Sequence, residues 1–380
     1  MLSKWASDSR YARKVGVVGV VLALLLVVAV PIILAVGEEG PLLERFVSGE
    51  GRYATVAGGA GLEGLPSNTV TLTVPGTAVV KAYLYWAGVN RNDGADDPNV
   101  SFQVDGGAVN SLTADVMYGP TFWYTADVPG SFNHNVYVED VTSLVQLGTH
   151  AYTLSDYTVT GPVGYSLTYG FGLIVVYEDP ALPLSNITLL DGLDSVYYGF
   201  PAPRNSPSQM NCITFPANAT KARVMDYTVF VGGSEDANDT DRPNSLHYAT
   251  GSGTPPVTLV DPDTGELVLG DEIVDPFTSV DGPAWDTYTN TLVVNAGDTW
   301  ACFQTQSDGQ RGNGASFLWL MGGMTLREQT PTAVSLSAFS ANNHMVLPMA
   351  GVLMALTVIG GTAGMILIRR KRCEDNSANC

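Results

Sequence analysis

The chain predicts an all-β fold: two tandem antiparallel β-sandwich modules, of jelly-roll or immunoglobulin-like type, flanked by a hydrophobic helix at each end. Three observations predict it. Between two apolar ends, the 380-residue chain carries short β-branched and aromatic runs separated by Gly, Pro, Asn and Asp. No sustained helical period interrupts them. The two halves of that region also echo each other at a nearly constant offset.

The N-terminal element, residues 1–37, is a signal peptide or signal anchor. Lys4, Arg10, Arg13 and Lys14 form a basic start, residues 15–36 are almost wholly apolar, and Ala35 and Gly37 set small residues before Glu38. That order suits export, with cleavage or retention both open. Residues 38–182 make the first β-sandwich module. Runs 70–74, 79–86, 152–154 and 173–177 read as strands. In the run from Val79, alternation puts Tyr83 and Tyr85 on one face and Leu84 and Trp86 on the other. Residues 140–146 fit one helical turn capped by Asp140 or Thr142.

Residues 183–330 make the second module, after a junction at 181–185. Thr73-Val74-Pro75 and the strand ending at Gly88 find counterparts in Thr214-Phe215-Pro216 and the strand ending at Gly233. Gly88, Asp96, Pro98 and Asn99 then sit over Gly233, Asp241, Pro243 and Asn244. Gly148 sits over Gly297, and Gly164, Ser166, Gly172 and Glu178 over Gly314, Ser316, Gly322 and Glu328. The offset drifts only from 145 to 150 residues, as a duplication with small loop insertions would leave it.

Residues 331–344, rich in Ser, Ala and Asn, are a spacer. Residues 345–368 are a transmembrane helix or sorting signal, since about 20 apolar residues span a bilayer. Arg369-Arg370-Lys371-Arg372 opens a basic tail, 369–380, that the positive-inside rule keeps in the cytoplasm. The ectodomain, 38–344, therefore faces outward.

That exterior part holds 34 Asp and Glu against ten Lys and Arg, a net charge of −24. Nucleic acid and anionic lipid surfaces need a basic patch, so they are excluded as its partners. Cys212 and Cys302 lie outside, where disulfides persist, and Cys373 and Cys380 in the tail. Either Cys212–Cys302 is a bridge or the two are buried thiols.

The strongest candidate site is the acidic loop carrying Glu235, Asp236, Asn238, Asp239 and Asp241. Its counterpart in the first copy carries Asp93, Asp96 and Asp97. Oxygen-rich side chains on a bendable loop suit Ca2+, which takes six to eight oxygens. An ordinary polar hairpin on an acidic surface is the other reading. Asp261-Pro262-Asp263-Thr264-Gly265 contains the aspartic-protease tripeptide once, whereas that chemistry needs two facing carboxylates, so it reads as a turn. His134, His150, His247 and His344 show no metal-ligand spacing. Trp123, or the Tyr83 and Tyr85 face, can stack on sugar rings; core packing is the alternative. No catalytic residue is assigned.

The strings Tyr83-Leu84-Tyr85-Trp86 and Val175-Val176-Tyr177-Glu178-Asp179-Pro180 resemble the β-rich module of bacterial and archaeal cell-surface, adhesin-like exported proteins. Leu347-Pro348-x-x-Gly351 before an apolar span and a basic tail resembles a sortase signal, with Ala350 where Thr is usual. The resemblance implies a non-catalytic surface protein, adhesive or structural in the cell envelope. Its expected partners are the membrane through the C-terminal helix, surface glycans and neighbouring envelope proteins. The alternative is a carbohydrate-binding surface module, and a secreted-side hydrolase comes third.

Overall fold

The computed structural model describes residues 40–90, 98–122, 133–159, 167–199, 207–218, 220–235 and 242–328. The expected N-terminal signal, spacer, membrane helix and basic tail fall outside the described residues. No helix among the described residues is long and apolar enough to cross a membrane.

The expected strands form. In chain order they are β1 (Leu43–Gly51), β2 (Tyr53–Gly61), β3 (Ser67–Val74), β4 (Ala78–Asn90), β5 (Asn99–Val104), β6 (Asn110–Thr113), β7 (Val116–Phe122), β8 (Asn133–Asp140), β9 (Gly148–Ser155) and β10 (Leu167–Glu178). The second half adds β11 (Ser185–Val196), β12 (Asn211–Thr214), β13 (Arg223–Gly232), β14 (Asn244–Gly251), β15 (Asp271–Val274), β16 (Trp285–Val294), β17 (Trp300–Ser307) and β18 (Phe317–Glu328). Between β8 and β9 lies a turn, with the Asp140 carboxylate accepting the Thr142 N–H (3.0 Å).

The strands pair antiparallel into four sheets, ordered β2-β10-β4-β8-β7, β3-β9-β5-β6, β1-β11-β18-β13-β16 and β12-β17-β14-β15. The second four-stranded sheet repeats the first, strand for strand. The five-stranded sheets repeat as well: β2, β10, β4 and β8 take the places of β11, β18, β13 and β16. Strands β10 and β18 lie 150 residues apart, the offset at which their sequences align. The strand order thus supports duplication independently of sequence likeness.

Each half is a sandwich of one five-stranded and one four-stranded sheet. Leu84, Trp86, Phe102, Tyr137, Tyr152 and Leu173 fill the first. Met225, Tyr227, Val229, Phe303, Phe317 and Trp319 fill the second. The two five-stranded sheets then pack on each other through Tyr85, Ile174, Ile187, Leu189, Phe230 and Leu318. The result is four layers, with the two middle sheets buried on both faces. Each fully buried side chain of this size contributes about 1.5–3 kcal/mol over leaving it exposed.

This layering decides a point that alternation leaves open. Tyr85 is fully buried and Tyr83 nearly so, on the face opposite Leu84 and Trp86, which are buried too. The Tyr83 and Tyr85 face is therefore a seam between halves and presents no open stacking platform. Tyr85 and Phe230, 145 residues apart, meet edge to face across it, ring centroids 5.7 Å apart. Strand β16 lies against β2, while its counterpart β8 lies against β11. Equivalent surfaces thus meet, as in an isologous dimer.

Two features tie the halves further. Strand β1 crosses to the second half and completes its inner sheet beside β11. The loop before β16 wedges into a glycine notch: the Gly61 N–H donates to the Asp281 carbonyl (2.8 Å). A Cβ on Gly59 would overlap the Trp285 indole nitrogen, and one on Gly61 the Pro283 carbonyl. Only glycine admits this approach. The described residues belong to one compact unit. Cys212 and Cys302 are bonded, joining register partners on β12 and β17, with Cα atoms 4.0 Å apart.

Candidate functional site

The acidic loops of the two copies leave neighbouring strand ends. Tyr169 on β10 shows this. Its chain neighbours pair with Gly88 and Ala87 on β4, while its ring lies against Gly232 and Gly233 of the facing sheet. The Tyr169 hydroxyl also bonds His134 Nε2 (3.2 Å), and His134 pairs with Val89. The stem at Asn90 and the stem at Gly233 therefore flank one tyrosine, at one end of the seam.

The second stem is firmly held. Gly233 takes a φ of +82°, the left-handed region that glycine enters without strain. The Ser234 hydroxyl donates to the Asp286 carboxylate. The Val280 N–H donates to its other oxygen (3.0 Å). Asp286 is fully buried. Burial pushes its carboxyl up to about 6, against the lowering effect of those donors. Burial likewise raises Asp281, against the lowering effect of Thr287. The Glu235 carbonyl accepts from the Ala284 N–H (2.8 Å) and the Ser279 hydroxyl (2.8 Å). Its carboxylate accepts the Arg242 N–H (3.2 Å), across the mouth of the loop. The Arg242 guanidinium continues to the Ser316 hydroxyl (2.8 Å). Glu235 and Arg242 thus clamp the loop's two ends.

Of the eight expected metal ligands, the structure describes Glu235 alone. It is buried and serves the stem. Asp236, Asn238, Asp239, Asp241, Asp93, Asp96 and Asp97 lie outside the described residues, as does Trp123. Among the described residues no group of three or more His, Cys, Asp or Glu is placed to hold a metal ion.

A second polar cluster sits in the seam. Arg45 Nε donates to Asp191 Oδ2 (2.6 Å), and its Nη2 to the Tyr118 hydroxyl (3.0 Å). The hydroxyls of Tyr118 and Tyr85 donate to Asp191 as well (2.6 and 3.1 Å). Asp191 is only 1% exposed. Burial opposes the charge on Arg45, but Asp191 more than restores it, and the guanidinium stays well above its ordinary range. Burial and the adjacent Asp191 charge hold the Tyr118 and Tyr85 hydroxyls protonated, well above theirs. The carboxylate is saturated with donors, which makes the cluster a tie between sheets. Sequence reasoning missed it, although Asp191 inside the apolar run 187–193 is a signal, because a charge in a buried strand must find a partner.

The remaining candidates take structural roles. Asp261 ends a turn, accepting the Asp263 and Thr264 N–H groups (2.8 and 3.0 Å). His247 bonds Gln306 (2.8 Å) and His150 bonds Asp105 (2.6 Å).

No protein-family model and no curated protein matches the chain. Among solved structures, PNGase F, a glycosylasparaginase from Flavobacterium meningosepticum, aligns at 14% identity over 73% of this chain and 96% of that one, TM-score 0.24. The STIV MCP aligns at 9% identity over 73% and 96%, TM-score 0.23. The ANX1 ectodomain from Arabidopsis thaliana aligns at 10% identity over 78% and 96%, TM-score 0.21. Likeness this distant carries no inference about shared chemistry.

Proposed function

We propose that the chain is an exported, non-catalytic surface protein with an adhesive or structural role in the cell envelope. Residues 345–368 hold it to the membrane, and calcium stiffens it where the two acidic loops leave the seam. The observation that supports this most is the convergence of the two stems beside Tyr169. The stems of loops 145 residues apart in sequence are thereby brought to one end of the fold. Each loop also concentrates several carboxylates within a few residues of sequence, a set that repels itself unless a cation intervenes. The buried acids nearby bond serine and backbone donors, which suits a scaffold.

A thermal melt of the protein with millimolar Ca2+, then EDTA, then Mg2+, tests the reading. A ligand at a hundred times its Kd stabilises by about 2.7 kcal/mol, a rise of several degrees. The expected result is a Ca2+-specific rise that Asp239→Ala plus Asp241→Ala removes. An equal rise with Mg2+, or none, would return the loops to solvated hairpins. Turnover of a glycan or peptide by the purified protein would overturn the non-catalytic assignment.

A further inference from the structure

The two outer sheets share a strand order but present different outer faces. In the second half, residues 252–270 cover the outer face. Leu259 and Val260 are fully buried against Ala249, Trp300 and Cys302. Gln304 Oε1 accepts the N–H groups of Leu259 (2.8 Å) and Val260 (3.2 Å). Gln306 Nε2 donates to the Gly265 carbonyl (3.0 Å). The twin face therefore holds the backbone of a folded-back segment through side-chain carboxamides.

In the first half that face is open. Thr69, Thr71 and Thr73 stand exposed along β3, beside Thr149, Thr153 and Ser155 on β9. The outward positions of β3, β9, β5 and β6 are Ser, Thr, Asn, Gln or Ala throughout, with no charge. An exterior with a net charge of −24 makes such a neutral face unusual. Charge is confined to its margin, where Asp105 pairs with His150 (2.6 Å) and the Ser155 hydroxyl meets Asp156 (3.4 Å), so the hydroxyl rows themselves fit an uncharged partner.

The hydroxyls are also ordered. Thr69 bonds Thr153 (2.7 Å) and Thr73 bonds Thr149 (2.8 Å), oxygen to oxygen. In each pair one hydroxyl donates, so one proton and several lone pairs remain to face outward. The hydroxyl rows repeat at about 4.8 Å across strands and about 6.8 Å along them. Carboxamides match backbone amides, as on the twin face. Hydroxyls that both donate and accept match a polymer that is itself made of hydroxyls.

We propose that the open outer face of the first half binds a neutral polysaccharide laid across its strands. The proposal names a ligand for the surface role above and rests on that reading for its setting; its test does not depend on calcium or on localisation. The purified full-length protein is co-sedimented with insoluble cellulose and chitin, and with an insoluble polyuronate as the charged control. Retention is expected on a neutral polymer, unchanged by high salt. Thr71→Glu plus Thr153→Glu should weaken it about tenfold or more, a loss of at least about 1.4 kcal/mol, without changing the melting temperature. The near-isosteric Thr71→Val plus Thr153→Val, which keeps the strands, should weaken it too. No retention on either neutral polymer, retention that salt abolishes, or equal retention of both variants would overturn the proposal. None of those results would bear on the calcium-dependent melt.

Discussion

The two halves of this molecule have the same sheets and opposite outer faces. The second half closes its outer sheet with a cover segment, a disulfide and a row of glutamines. The first leaves its counterpart bare and covers it in hydroxyls. At the seam the halves behave alike, each giving its five-stranded sheet to the other. A duplicated sandwich thus keeps its inner faces under the constraint of mutual packing, while its outer faces are free to diverge. Function is more readily gained on the face that packing does not hold.

Perturbing each region should separate them. The largest effect is expected at the disulfide beneath the cover. The bridge spans 90 residues, so Cys212→Ser plus Cys302→Ser should cost about 4–5 kcal/mol in the loop-entropy model, read by urea unfolding. Next comes the seam. Asp191→Ala leaves Arg45 charged and without its carboxylate partner, at a cost of about 3–5 kcal/mol. Equal or smaller loss than at an exposed acid would mean the seam network carries no weight. Leu259→Ala, within the cover, should cost about 2–4 kcal/mol.

A pH-dependent term belongs to the stem. Asp286 is raised to about 6 in the fold by burial. The folded state therefore keeps a proton that the unfolded chain releases from about pH 4 upward. Its contribution falls as pH rises from about 4 to about 6, then levels. The difference in stability between the protein and Asp286→Asn should change across that window and be flat above it, with an upper size of about 3 kcal/mol. A difference constant from pH 4 to 7 would contradict the buried-acid reading. The smallest effect is expected on the open face, where Thr71→Ala should change stability by about 0.5 kcal/mol or less.

Much of the fold was legible in the sequence. Short β-branched runs gave the strands, and the 145-to-150-residue offset gave the duplication that the strand order repeats. The compartment argument left Cys212–Cys302 as the one external pairing. The rest needed three dimensions. Alternation along β4 separates two faces, but whether the second meets water or another sheet depends on a partner 145 residues away. Tyr83 and Tyr85 were for that reason open to a surface reading that the seam removes. The crossing of β1 and the Arg45–Asp191 pair are likewise long-range, and local patterns are silent about them. Gly59 and Gly61, which admit the wedge before β16, carry no sequence pattern that says what approaches them. The candidate loops were visible as acidic runs, and the shared end of their stems was not.

The proposed topology sets residues 40–328 outside the cell and the basic tail inside. Intact cells carrying the full chain should be treated with a protease that cannot cross the membrane, then probed separately for the ectodomain and for residues 369–380. Ectodomain signal is expected to be lost or clipped without lysis, while the tail stays protected. Protection of both until the cells are lysed would contradict it.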